Sequence, residues 1–517
     1  VSFLSRIIGN KKRGALPTHG QDASDPGDGR PEGMDAHLFS HSTDNVGFSP
    51  QYPQPPQYIK VRSKFKREKE IDHLFLSQQL RGGHQKATTF PLVSRTATEI
   101  ASHTQAREDP VWALEFSKDG KYLAAAGHDK TVRVWAVISS PEERRDFEDA
   151  GSPQGGQGAS PSPLRAPVFH PTPFRLYEGH ESTVIDLSWS KNNFLLSSSF
   201  DKTVRLWHIS RNECLCTFKH AEYVPSIQFH PRDDRFFLAG SLDLKLRLWS
   251  IPDKSVAFWA QLPEMITAVA FTPDGKSCIA GTLGGQLHFY ETDNLKYSTH
   301  IHVRSNRGKK SRGSKITNIQ AMNFPPDKPY GNLKILVSSN DSRVRLYNMR
   351  DKSLQAKFKG HVNNETQIRA TFSDDGRYVV SGSEDKKTHI WSIDPGDAEK
   401  GEQPLEVFES NSSMTIASLL APTKTRQALS ASEDPIYDLC NPPPVTLVSR
   451  TESIHSSRPP TESENGQEIP SGETTTNRTA GSPAYVARNV HPGGHIIVTA
   501  EYSGSIRVYR QDCAYMK

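Results

Sequence analysis

The chain has 517 residues, 35 % of them hydrophobic, with 35 Gly and 36 Pro. That length has room for two or more ordinary domains, and the dilute apolar content points to an ordered core interrupted by long disordered insertions. The net charge of +5, from 63 Lys and Arg against 58 Asp and Glu, is mild and gives no argument for nucleic acid.

Five scattered cysteines (Cys214, Cys216, Cys278, Cys440, Cys513) make no disulfide framework, which favours a reducing compartment. Cys214 and Cys216 could begin a metal site, but no second ligand pair is near, and on a strand they are ordinary same-face neighbours. No run approaches a membrane span in length. The chain opens on Val1, which leaves room for a targeting segment upstream.

Residues 1–56 read as a disordered N-terminal region, rich in Gly, Asp, Pro and Ser. Pro53 and Pro56 have the spacing of an extended SH3-type ligand, although a plain linker has the same composition. Residues 57–86 change character. Tyr58 to Lys69 is basic with interleaved apolar residues, and Glu70 to Leu80 places Ile71, Leu74, Phe75 and Gln78 on one helical face. This predicts an amphipathic helix, either docked on the following domain or exposed as a recognition element. In the second case Ile71, Leu74 and Phe75 contact a partner, or the basic run touches anionic membrane.

From 87 to 517 the chain repeats. Gly179 to Trp207 is a complete unit: a Gly-His pair, an alternating strand Val184–Trp189, a polar turn, a second strand to Ser199, a tight turn at Asp201-Lys202, and a third strand ending in Trp207. A period of about 40 residues with this layout is a β-propeller blade. Sliding it along the chain gives seven closing aromatics: Trp135, Trp207, Trp249, Tyr290, Tyr347, Trp391 and Tyr509. The predicted fold is all-β, a seven-bladed propeller. Gly284 replaces the turn Asp of blade four. Two insertions, about 139–167 and 423–484, read as disordered, the first with Ser-Pro pairs at Ser152, Ser160 and Ser162. Leu92 to Ile100 is the candidate for the extra strand that pairs with the last blade and closes the ring.

Five blades place an Asp six residues before the closing aromatic: Asp129–Trp135, Asp201–Trp207, Asp243–Trp249, Asp341–Tyr347 and Asp385–Trp391. This resembles the WD-repeat family, in which His, Ser, Asp and Trp form a hydrogen-bonded tetrad between strands. By that resemblance the tetrads are His180, Ser199, Asp201 and Trp207; His220, Ser241, Asp243 and Trp249; and, less regularly, His361, Ser383, Asp385 and Trp391. The buried polar groups must satisfy one another, or each costs about 1–3 kcal/mol. A Ser/His/Asp set is also the content of a hydrolase triad, but here it recurs at blade period. With no P-loop, dinucleotide fingerprint, HExxH or nucleophile elbow, the chain reads as a non-enzymatic binding module. No cofactor, metal or small-molecule substrate is expected.

The flanking segments carry a narrower resemblance. Tyr58 to Arg62, His73 to Leu80, Asp186 to Leu196, Arg211 to Cys216, Ile301 to Ser305 and Ser338 to Arg343 are similar to a branch of WD-repeat proteins that bind a Rab small GTPase on recycling endosomes. Asp434 to Pro442 resembles fungal members of that branch. The resemblance implies a scaffold for vesicle traffic, cytoplasmic and peripheral on endosomal or Golgi membranes. Its partner is a GTP-loaded Rab bound through the 58–80 segment. WD-repeat partners also use the loop-bearing face, where the residue before each turn Asp lies: His128, Phe200, Leu242, Asn340 and Glu384. Phe200 and Leu242 are apolar there and are either a partner hot spot or packing for neighbouring loops.

Two other readings compete. A ubiquitin-ligase substrate receptor would carry Trp-Asp-x-Arg, which Tyr347-Asn348-Met349-Arg350 matches only at the Arg. The Arg304 to Arg312 loop has five basic residues for nucleic acid but no aromatics for stacking, which suits a solvated loop.

Overall fold

Each repeat folds as an antiparallel meander because its apolar residues alternate and its turns are short and polar. Blade two shows the pattern: Val184–Trp189 pairs with Phe194–Ser199, then Thr203–His208, then Cys216–Lys219. The computed structural model describes residues 55–64, 69–81, 109–151, 166–303, 313–326, 328, 331–393, 405–440 and 493–513, all within the compact unit Pro53–Lys517. Among these residues seven such sheets form a seven-bladed β-propeller.

The six-residue spacing has a local cause. The residue after each turn Asp sits at positive φ: Lys130, Lys202, Leu244, Ser342 and Lys386 all lie between 57° and 69°. A non-glycine residue there is strained. The Asp carboxylate offsets this by accepting the amide two residues on, as from Thr203 (2.9 Å) and Lys245 (3.1 Å). Blades four and seven place Gly285 and Gly504 at that position instead. In blade four Glu264 supplies the missing carboxylate, accepting from Gly284 N (3.0 Å) and Thr282 Oγ1 (2.7 Å).

Innermost strands stitch blade to blade by side chain to backbone bonds. Asp186 accepts Ile227 N (2.8 Å), Ser188 accepts Phe229 N (2.9 Å), and Gln320 accepts Phe372 N (2.8 Å). Asp186 also forms an ion pair with Arg369, joining blades two and six at a central cavity of about 490 Å³. Apolar side chains fill the spaces between blades, for example Trp189 with Ala124, Val134 and Tyr177.

The N-terminal segment corrects the sequence reading. Residues 70–80 form no helix. β1 (Tyr58–Ile59), β2 (Arg62–Lys64) and β3 (Leu74–Arg81) are strands that belt the outside of blades six and seven. β3 pairs with Ser505–Gln511, β1 pairs with β3, and β2 pairs with Leu405–Glu409. Ile71, Leu74 and Phe75 are buried in the core and offer nothing to a partner. An apolar pair at 74–75 fits a strand whose edge and face are both covered, and tertiary pairing overrode the helical periodicity. β3 is therefore the strand that pairs with the last blade, while Leu92 to Ile100 lies outside the described residues. Glu406 pins the crossing between the belted blades, accepting Glu70 N (2.7 Å) and Ile71 N (2.9 Å).

Both insertions also hold ordered parts. After blade one comes α1 (Pro141–Gly151); in blade seven come α2 (Thr423–Ala431) and α3 (Pro435–Cys440). Leu429, Ile436 and Tyr437 join a core cluster with Val137, Val168 and Phe169 of blade one. Asp434 opens α3, fully buried, and pairs with Arg510 (2.6 Å) and Arg144 of α1 (3.0 Å). The polar composition concealed helices whose few apolar residues are mostly buried: Leu429, Ile436, Tyr437 and Cys440 pack inward while Leu439 stays exposed. Residues 152–165 and 441–484, with the Ser-Pro pairs, lie outside the described residues.

Candidate protein interface

Blade two contains a continuous polar network. Trp207 Nε1 donates to Ser197 Oγ (2.8 Å), Ser197 Oγ bonds His180 Nε2 (2.7 Å), and His180 Nδ1 bonds Asp201 Oδ2 (2.7 Å). Those partners assign the proton of His180 to Nδ1. Burial pushes the Asp201 carboxyl up, but hydrogen bonds from His180 and Thr203 outweigh it and hold the group well below the carboxylate range. Gly179, at φ 141°, has a backbone that brings the His into place, and a Cβ there would meet Arg205 Nη1 at 2.6 Å. The serine of the network is Ser197, not Ser199. Ser199 lies one alternation further along the same face and bonds the entry loop at Ser182 O (2.9 Å). Ser241 and Ser383 do likewise, to Tyr223 O (3.1 Å) and Val362 O (3.4 Å).

The other two sets do not form the network. In blade three Ala239 occupies the register position of Ser197, each lying opposite an Arg of the third strand. Trp249 Nε1 therefore donates straight to His220 Nε2 (3.0 Å), and Asp243 pairs with Arg247. Asp129 with Arg133 and Asp341 with Arg345 repeat that Asp–Arg arrangement. In blade six Trp391 Nε1 donates to Lys359 O (3.0 Å), and buried His361 keeps an Nδ1 with no hydrogen-bond partner among the described residues. Burial lowers His220 to about 4 and His361 to about 3, so both are neutral. The Ser197–His180–Asp201 order has triad geometry, but Ser197 is wholly buried beside Trp207 and no substrate carbonyl can reach it. Among the described residues no group of three or more His, Cys, Asp or Glu could hold a metal, and no helix is long and apolar enough to cross a membrane.

The turn geometry builds the loop face. In every blade the residue before the turn donates its amide to a carbonyl in the loop that enters the first strand: His128 to Pro110, Phe200 to Thr183, Leu242 to Tyr223, Leu283 to Met265, Asn340 to Lys315, Glu384 to Val362, and Tyr502 to Met414. The predicted contact residues thus share one ring of loops, with different roles. His128 bonds Thr183 Oγ1 (3.1 Å). Glu384 accepts Asn364 N and Glu365 N (3.0 and 3.1 Å), which makes it a loop brace. Leu242 and Asn340 are half-buried. Phe200 is exposed and meets Tyr223 edge to face at 5.1 Å.

Three members of this surface escape a reading keyed to the turn Asp: Tyr223, Met265 and Leu283. Together with Phe200 they are 38–48 % exposed, an unusual density of large apolar groups on the loops of blades two to four. Leu283 was hidden because its turn has Gly284 in place of Asp; counting from the strand pattern instead would have found it.

The description "WD domain, G-beta repeat" matches residues 96–136, 171–208, 212–250 and 352–392. Those are the blades that close in Trp; the three that close in Tyr go unmatched. The chain carries WD repeats. It is 48 % identical to WD repeat-containing protein 44 of Xenopus laevis over 310 residues, 54 % of this chain and 33 % of that protein. It is 37 % identical to an uncharacterized WD repeat-containing protein of Schizosaccharomyces pombe over 336 residues, 63 % and 56 % of the two chains. To 2-deoxy-glucose resistant protein 2 of Saccharomyces cerevisiae it is 30 % identical over 395 residues, 66 % and 45 %. The matched region thus spans between a third and just over half of each relative's length.

Proposed function

We propose that this WD-repeat chain is a non-enzymatic scaffold that binds a GTP-loaded Rab-type GTPase in endosomal vesicle traffic. The observation that carries the binding role is the apolar row Phe200, Tyr223, Met265 and Leu283, flanked by half-buried Leu242, on one loop face. Large apolar groups clustered where solvent is expected are the anchors of protein interfaces. The partner class rests on the resemblance of the flanking segments to the Rab-binding branch of the family. Among the described residues of the 58–80 segment, Ile71, Leu74 and Phe75 hold the fold, which leaves Lys60, Arg62, Lys64, Lys69, Leu76 and Gln79 as the exposed groups available to a partner.

The test is a pull-down of this chain by purified Rab proteins loaded with a GTP analogue or GDP, using native protein, Phe200→Ala and Leu76→Ala. Nucleotide-dependent capture lost in Phe200→Ala with unchanged melting supports the loop face. Loss in Leu76→Ala alone moves the contact to the outer belt, and capture of no Rab ends the GTPase reading. Deleting residues up to 86 is no substitute, because it removes the ring-closing strand.

A further inference from the structure

The outer belt carries an unbalanced charge pattern. From Lys60 to Lys64 the side chains alternate: Lys60, Arg62 and Lys64 are exposed, while Val61 is buried against Tyr378, Ile390 and Phe408. Every second residue of an extended chain falls on one side at about 6.5–7 Å, so the three cations form a row of about 13 Å. Neighbouring cations are already engaged: Lys69 with Asp72 (3.6 Å) and Lys387 with Asp385 (3.1 Å). Lys60, Arg62 and Lys64 form no ion pair with a described residue.

Between β1–β2 and Leu405–Glu409 lies a cleft of about 180 Å³, lined by Lys60, Arg62 and Lys387 over Val407 and Phe408, with Glu409 the one acid at its wall. β3, to which β1 pairs, exposes Leu76. Charges on an edge strand also deter unwanted strand pairing, but that task needs no single sign and no unpaired row.

We infer that this rim is a docking surface for an anionic lipid bilayer. A linear row of three exposed cations with no ion pair to a described residue suits a flat, negatively charged surface, and charge complementarity sets the occupant. Each cation near such a surface contributes roughly fivefold in binding, so the row contributes on the order of a hundredfold. This surface lies apart from the loop face of blades two to four, and lipid docking on it requires no GTPase.

The test is co-sedimentation of the full chain with phosphatidylcholine vesicles, with and without phosphatidylserine, at low and high salt. The variants are the triple Lys60→Ala/Arg62→Ala/Lys64→Ala and a control triple of exposed lysines elsewhere, Lys191→Ala/Lys254→Ala/Lys276→Ala. The expected result is binding only to the phosphatidylserine vesicles, weakened by salt and lost on the order of a hundredfold in the first triple alone, with native melting. If Arg62→Ala and Lys64→Ala loosen the edge strand, the single Lys60→Ala, which lies between strands, still reads about fivefold. No binding to phosphatidylserine vesicles, or binding indifferent to the triple, overturns the inference. Binding only to a phosphoinositide at matched vesicle charge overturns it in favour of a headgroup-specific cleft. The vesicles carry no GTPase, so failure here and failure of the Rab reading are separate results.

Discussion

Ser197→Ala tests the reassigned network. The Ser197 hydroxyl accepts from Trp207 Nε1 and bonds His180 Nε2, and both partners are buried. Removing it leaves an indole N–H and an imidazole nitrogen unpaired, at about 1–3 kcal/mol each. Blade three shows how part of this can be recovered: without a hydroxyl, the indole reaches the imidazole directly. There the rings lie 5.2 Å apart by centroid, against 6.4 Å in blade two. Blade two must close about 1 Å to copy that arrangement, while His180 remains tied to Asp201 and the space left by the hydroxyl stays unfilled. The expected cost is about 2–3 kcal/mol. Ser199→Ala loses its bond to Ser182 O and the one it accepts from Asp201 N, both at the loop edge, and should cost about 1–2 kcal/mol. Urea unfolding followed by tryptophan fluorescence reads both. A larger loss for Ser199→Ala than for Ser197→Ala would refute the network described here.

Asp434→Ala strands two buried guanidinium groups, Arg510 and Arg144, and should cost about 3–5 kcal/mol, seen as lower melting and earlier proteolysis in α2. Deleting residues 1–86 removes Val61, Ile71, Leu74 and Phe75 from the core, at about 1.5–3 kcal/mol each. It also bares the Ser505–Gln511 edge, so the truncated chain should aggregate in size-exclusion chromatography, and a sharp native peak would contradict that. Burial lowers His220, His389 and His495 to about 4 and His361 to about 3, against an ordinary value near 6.5. Above pH 6.5 the folded and unfolded states both hold them neutral; below it only the unfolded state protonates. Stability should therefore fall from pH 6.5 towards 4, by up to about 1.4 kcal/mol per pH unit per histidine. Melting that stays flat across that window would show these histidines to be accessible. Phe200→Ala should weaken partner binding by about 2 kcal/mol or more with unchanged melting, measured by calorimetry on the captured partner.

The blades were legible because a turn with positive φ needs a carboxylate two residues before the amide it caps, and that requirement writes Asp at a fixed distance from the closing aromatic. The network serine was not legible. Ser197, Ser198 and Ser199 are consecutive, two of them share a face, and only the register against Arg205 separates them. The N-terminal belt misled for a different reason. Ile71, Leu74 and Phe75 fit a helical face by spacing, but their partners are Arg510, Gln511 and Glu406, far along the chain, and no local pattern reports a pairing across more than 300 residues. The insertions misled by averaging, since long polar tails diluted the short buried stretches at 429–437.

The belt also changes what the family resemblance can mean for this chain. A segment that binds a partner as a free helix can be deleted or moved without harm to the domain behind it. Here the corresponding residues close the ring: β3 covers the last strand of blade seven, β2 covers blade six, and Tyr58 Oη reaches Asp512 (2.6 Å) near the C-terminus. A partner that grips this segment from outside therefore grips strands whose inner faces are core. It meets a preformed surface, with little ordering entropy lost on binding, and it stabilises the closure of the propeller by as much as it gains from that closure. Binding and ring closure in this chain are two readings of one set of strand pairings, which is why side-chain substitutions on the outer face can separate them and deletions cannot.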